Sequence, residues 1–220
     1  MNKYNMIERK KTKQVMVGNV PIGGGAPVVI QSMTNTDTAD MPATLRQINE
    51  LSEAGCQLVR ITVPDESAAA VLPKLTVQSP VPLIADIHFD YRLALAAIQA
   101  GIAGLRLNPG NIGDADKVRQ VAREAKAAGV PIRVGVNSGS LSKKMLAQHG
   151  GVVPAALVES ALEEIAQLEA EDFFDIVVSL KASNVPLMLA AYREIAERVD
   201  YPLHIGVTEA GTPKRGSIKS

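Results

Sequence analysis

At 220 residues the chain is the size of one domain, and its 46% hydrophobic content is enough to bury a core, which excludes a disordered chain. Lys+Arg and Asp+Glu number 23 each, so no global charge points to nucleic acid or an anionic membrane, and any charge argument must be local. The one cysteine, Cys56, excludes an internal disulfide and by itself holds neither a zinc ion nor an iron–sulfur cluster.

The N-terminus, MNKYNMIERKKTKQV, is basic, and no apolar region follows it. No stretch approaches the ~20 apolar residues of a membrane span. The expected compartment is the cytoplasm, with no membrane or nucleic-acid partner. Residues 13–22, KQVMVGNVPI, suggest a hairpin around Gly18-Asn19 that would plug the N-terminal end of whatever follows.

From there short apolar runs recur: VVIQSM (28–33), LVRITV (58–63), PLIADI (82–87), GLRLNP (104–109), PIRVGV (131–136), DIVVSL (175–180) and PLHIGV (202–207). They are rich in Val, Ile and Leu, as strands buried on both faces are. Between them lie helix-like segments such as PATLRQINELSEAG, DYRLALAAIQAG, DADKVRQVAREAKAAG, PAALVESALEEIAQLEAE and VPLMLAAYREIAERV. Strand–helix–strand alternation means parallel strands. Seven without a reversal favour a barrel over a doubly wound sheet, so the expectation is an α/β fold of the (β/α)8 TIM type, incomplete, with about seven parallel strands and an N-terminal β-hairpin. The segment NSGSLSKKMLAQHGG (137–151) departs from the repeat and reads as a loop, either over the C-terminal mouth or as a surface excursion.

Polar residues inside these runs carry the functional signal. Arg60, Arg106 and Arg133 each interrupt an apolar strand, and a lone buried guanidinium costs several kcal/mol. Alternation puts Arg106 with Asn108, Arg133 with Gly135 and Asn137, Asp86 with His88, Ser179 with Lys181, and His204 with Gly206 and Thr208. All are expected toward the C-terminal ends of their strands, where β/α barrels place their chemistry. Four cations, Arg60, Arg106, Arg133 and Lys181, against Asp86 and Glu209 leave a positive surplus suited to a diphosphate. The turns NPGNIGD (108–114) and VNSGS (136–140) expose N–H groups that suit an anion. Cys56 reads as packing, His149 as surface, and Lys214 and Arg215 as a solvated loop. His204 reads equally as a site residue or a packed one. No metal ligands are expected. Lys181 on the sixth strand also permits a Schiff-base aldolase, and the same residues permit a non-catalytic anion-binding module.

QSMTNTDT (31–38), ADIHFDYR (85–92), LRLNPGNIG (105–113), IRVGVNSGSL (132–141), SLKAS (179–183) and LHIGVTEAG (203–211) together resemble the 4-hydroxy-3-methylbut-2-enyl diphosphate synthases of isoprenoid biosynthesis. The resemblance runs from about residue 8 to the end. It implies a barrel like that of the pterin-binding synthases and reduction of 2-C-methyl-D-erythritol 2,4-cyclodiphosphate in the methylerythritol phosphate pathway. It implies a [4Fe–4S] cluster in a separate C-terminal domain, flavodoxin or ferredoxin as electron donor, and a homodimer. By the same resemblance Arg60, Arg106, Arg133, Asn137 and Lys181 bind the diphosphate. Asp86, His88, Asn108 and His204 line the mouth, and Glu209 is the catalytic acid. Residues 1–220 are then expected to form the substrate-binding barrel, to stop before the eighth strand, and to lack the cluster ligands. Such a chain is expected to be inactive alone and to expose apolar sheet edges beside the first and seventh strands.

Overall fold

The computed structural model describes residues 9–219. The first eight residues of the basic N-terminus lie outside them. Strands β1 (Gln14–Val17) and β2 (Val20–Gly23) form the expected antiparallel hairpin, with Val17 opposite Val20 across the Gly18-Asn19 turn. Gly18 has φ +59, and a Cβ there would press on Pro82 at 3.1 Å, so glycine suits both the turn and the close approach. Val17 packs with Leu58 and Ile84 near the starts of their strands, so the hairpin closes the N-terminal end of the sheet.

Six parallel strands follow in sequential order: β3 (Gln31–Met33), β4 (Leu58–Thr62), β5 (Leu83–Asp86), β6 (Gly104–Leu107), β7 (Ile132–Asn137) and β8 (Ile176–Lys181). Helices α1 (Met41–Glu53), α2 (Glu66–Gln78), α3 (Tyr91–Gln99), α4 (Ala115–Ala128), α5 (Lys143–His149), α6 (Pro154–Glu169), α7 (Val185–Arg198) and α8 (Pro213–Lys219) occupy the connections and the end of the described chain. The caps explain their starts. Asp40, Asp65, Asp90, Asp114, Ser142 and Asn184 each accept a backbone N–H in the first turn, satisfying a donor the helix cannot. Asp114 opens α4 at the place the sequence suggests. Ile48, Leu72, Leu75, Leu105, Leu107, Ile132 and Ile165 fill the layer between strands and helices. Each fully buried branched side chain of this kind contributes roughly 1.5–3 kcal/mol.

Two segments differ from the sequence reading. Part of the expected loop 137–151 is helical, because Ser142 caps α5 and Gly150 ends it in the left-handed region. His149 closes that helix half-buried rather than on the surface. Lys214 and Arg215 lie exposed on the short α8 rather than on a loop.

The seventh run pairs with β8 at one position, Val178 with Leu203. Two ladder bonds are present, Val178 N–H to Pro202 O and His204 N–H to Val178 O. The next is intercepted by Tyr192 of α7. Its hydroxyl accepts the Leu180 N–H at 3.0 Å and donates to the His204 carbonyl at 2.5 Å. A hydroxyl inserted between two strands satisfies both groups and holds the strands apart, so the ladder does not propagate. The described strands do not close into a ring: the sheet order begins at β3 and ends at β8. Val28, Ile30 and Ile205, on the two flanking runs, are exposed.

Candidate functional site

Register builds the site. Asp86 on β5, Arg106 on β6 and Arg133 on β7 stand at one level, each paired with the next. Arg60 on β4 is opposite Ile84, two residues before Asp86 and so one inward-facing position lower. Asn137 lies opposite Lys181, and Gly135 opposite Ser179, at the ends of β7 and β8. The predicted residues Arg60, Arg106 and Arg133 therefore face one interior from within their strands, below Lys181 and Asn137 at the C-terminal end of the sheet.

Asp86 organises the cluster. Its carboxylate is 3.2 Å from Arg106 Nη1, 3.6 Å from Arg60 Nε and 3.7 Å from His88 Nε2, and the residue is 3% exposed. Arg106 donates its other terminal nitrogen to the Gly135 carbonyl at 2.9 Å. Arg60 lies against the Met33 sulfur. Arg133, 5% exposed, donates to Ser179 Oγ at 3.3 Å, while its Nε and Nη2 are buried without a partner among the described residues. Lys181 stands beside this group. His88 is exposed at the rim, whereas His204 lines a small cavity of about 20 Å³ with Arg133, Leu105 and Val177 and with Val17 and Ile22 of the hairpin, on the N-terminal side of the cluster.

The electrostatics follow from burial and crowding. Desolvation, then Arg60 and Arg106, weakens the hold of Arg133 on its proton, to about 9. Lys181 is lowered to about 7 by burial and then by Arg133, Arg60 and Arg106, against which Asp86 is too little. His204 is pushed down to about 2 by burial and then by Arg133, so it is neutral at any working pH. Glu209 stands apart from the arginines: it is exposed on the mouth loop, 3.8 Å from where a Cβ on Gly139 would lie. Its φ of +49 is unusual for a residue with a side chain, so the loop 208–211 holds it under local backbone strain. Among the described residues Asp86 is therefore the carboxylate that ion-pairs with Arg60 and Arg106.

The sequence reading missed Glu164. It lies on α6, 5% exposed, with its carboxyl beside Asn108 and Arg106. Its signal was present: Leu157, Ala161, Glu164 and Leu168 form one buried stripe, in which an acid occupies an apolar slot.

Glycine at 135 is a requirement of the site. A Cβ there would lie 2.7 Å from Arg106 Nε, whereas one on Gly206 would meet Lys181 Nζ at an ordinary 3.6 Å. Gly135→Ala is expected to displace the guanidinium and weaken pyrophosphate binding by about tenfold, one charge-assisted bond's worth, while Gly206→Ala stays within about twofold. Calorimetric titration of both variants checks this.

The model of the GcpE TIM-barrel domain matches residues 12–220. The 4-hydroxy-3-methylbut-2-en-1-yl diphosphate synthase (flavodoxin) of Maridesulfovibrio salexigens is 58% identical over 215 residues, 98% of this chain and 60% of the relative. Those of Lawsonia intracellularis and Clostridium perfringens are 57% and 55% identical, over 96% and 97% of this chain and 59% and 61% of theirs. The chain thus spans about three-fifths of these relatives. Among solved structures, 3-dehydroquinate dehydratase from Geobacillus kaustophilus superposes with a TM-score of 0.65 at 17% identity, over 94% of this chain and 81% of that one. Yersinia pestis dihydropteroate synthase does so with 0.62 at 12%, over 90% and 76%. These two likenesses establish the barrel architecture alone. With a family match over nearly its whole length and relatives more than half identical, the chain belongs to the GcpE TIM-barrel domain family.

Proposed function

We propose that this chain is the substrate-binding barrel of a cytoplasmic 4-hydroxy-3-methylbut-2-enyl diphosphate synthase, holding 2-C-methyl-D-erythritol 2,4-cyclodiphosphate through its diphosphate. The observation that carries the reading is the buried Arg133, two of whose nitrogens have no partner among the described residues, beside Lys181 and two arginines that ion-pair with Asp86. A diphosphate supplies the missing acceptors and the missing charge together. In this reading Arg60, Arg106, Arg133, Asn137 and Lys181 bind the phosphates, and Asp86 holds two of the guanidinium groups in place. His88, Asn108 and His204 border the ligand. Glu209, at the open mouth, delivers the proton that lets a hydroxyl depart as water.

The [4Fe–4S] cluster of such an enzyme does not fit this chain's own residues. Cys56 lies between α1 and β4, on the N-terminal side of the sheet, and no group of three or more His, Cys, Asp or Glu among the described residues is placed to hold a metal. A reducing cluster has to be supplied from outside these 220 residues, by a domain that a homodimer would present to the mouth, with flavodoxin or ferredoxin as donor. The 220-residue chain is therefore expected to bind ligand and not to turn over.

Pyrophosphate should raise the melting temperature of the chain. Arg106→Ala and Arg133→Ala should each remove roughly 1.5–3 kcal/mol of that binding. Reconstitution with iron and sulfide should give no stoichiometric cluster spectrum. A shift with zinc or magnesium but none with pyrophosphate would overturn the reading. The lowered proton affinity of Lys181 is also what a Schiff-base lysine needs. Borohydride trapping of Lys181 with a carbonyl compound would favour that aldolase reading.

A further inference from the structure

Glu164 is the buried acid that the site as described does not use. It comes from α6, outside the strand ends, and its carboxyl meets the Asn108 side chain. Asn108 follows β6 and opens the turn 108–113, and a Cβ on Gly110 would lie 3.2 Å from Asn108 Oδ1. The Asn108 amide thus lies between Glu164 and the anion-suited turn. The second carboxyl oxygen, Oε2, is buried without a partner among the described residues. The nearby cation is Arg106, and that guanidinium is already committed to Asp86 and the Gly135 carbonyl. Glu163, the neighbour on the same helix, adds like charge. No ion pair therefore compensates a buried carboxylate here, and an uncompensated buried charge is costly.

We propose that Glu164 is a positioning residue of the anion site, which as a neutral acid fixes the Asn108 amide and leaves Arg106 its full charge for the ligand, and which on ionising weakens anion binding. The proposal rests on the diphosphate reading above. Desolvation raises Glu164 to about 8, with Arg106 and Asn108 opposing, so the acid is neutral near pH 7 and ionises just above it. Below that point Glu164 donates nothing to the local charge. Above it, a carboxylate appears beside Arg106 and cancels attraction meant for phosphate. A glutamine would give the same neutral contact to Asn108 at every pH, so glutamate differs from it by this titration alone.

The test is the affinity of the 220-residue chain for pyrophosphate, by calorimetric titration from pH 6.5 to 9.5, for the parent, Glu164→Gln and Glu164→Ala. Glu164→Gln should match the parent within about twofold at pH 6.5 and bind about tenfold more tightly than the parent at pH 9.5, because one unfavourable charge has been removed. Glu164→Ala should bind more weakly at all pH values, by about three- to tenfold, through a loosened Asn108. Since the alanine variant also leaves a cavity, the glutamine profile decides. A second readout is carbon-13 NMR of labelled glutamate carboxyls: one should titrate near 8 and vanish from the Glu164→Gln spectrum. Coincident parent and glutamine profiles, or a Glu164 carboxyl titrating in the ordinary carboxylate range, overturn the proposal. Failure of the parent to bind pyrophosphate at any pH overturns the anion-site reading and this proposal with it.

Discussion

Asp86→Ala is expected to destabilise the domain by about 3–5 kcal/mol, and saturating pyrophosphate to recover part of the loss. The magnitude comes from what is left behind. Asp86 is nearly inaccessible and lies within 3.2–3.6 Å of two guanidinium groups, Arg106 and Arg60. Without it the strand ends hold three arginines and Lys181 with no ion-paired carboxylate among them. Burial and mutual repulsion already lower the proton affinity of Arg60, and Asp86 is the group opposing that. Deleting one member of a buried pair leaves the other as an uncompensated charge, which costs more than the pair itself contributed. Asp86→Asn keeps the shape and removes the charge, so it should show most of the same loss. Chemical denaturation with and without pyrophosphate measures both effects. A loss below about 1 kcal/mol would mean that solvent already screens the cluster.

The second large effect is on pH. Pyrophosphate affinity is expected to fall by up to about tenfold for each pH unit above 7, until the raised value of Lys181 in the complex is reached. In the free protein burial, and then three arginines, lowers Lys181 to about 7. A bound diphosphate reverses the sign of that neighbourhood and favours the ammonium. Binding above pH 7 therefore takes up a proton, and the affinity is greatest below 7. For folding alone the sign is also fixed. The native value lies below that of an unfolded lysine, so the unfolded chain binds more protons between the two, and this group's contribution to stability rises with pH across that window. Lys181→Arg, charged throughout, should lose most of the parent's fall in affinity between pH 7 and 8 in the same calorimetric titration. A parent profile that is flat over that range would show that Lys181 keeps its proton in the free protein.

The β/α order, the hairpin, the positions of most helices and the set of basic side chains are legible in the amino-acid sequence. Those follow from local rules: apolar runs at strand length, capping Asp and Ser residues, Gly18-Asn19 at a turn, and arginines interrupting otherwise apolar strands. Alternation also assigned Arg106, Arg133 and Asp86 to a common inward face without any knowledge of register. Helix α2 was less legible because Pro73 lies inside it, and α5 because a short capped turn resembles a loop in composition. That Arg60 sits a position lower than the other arginines emerges only in the folded sheet, since strand register depends on long-range packing. Only the fold separated Glu209 from the cluster and set Asp86 against two guanidinium groups and the His88 ring at once. The interrupted seventh strand depends on a hydroxyl from Tyr192, and the buried acid Glu164 on the meeting of α6 with the end of β6. Both are contacts between segments far apart in the chain, where spacing along the sequence carries no information about distance.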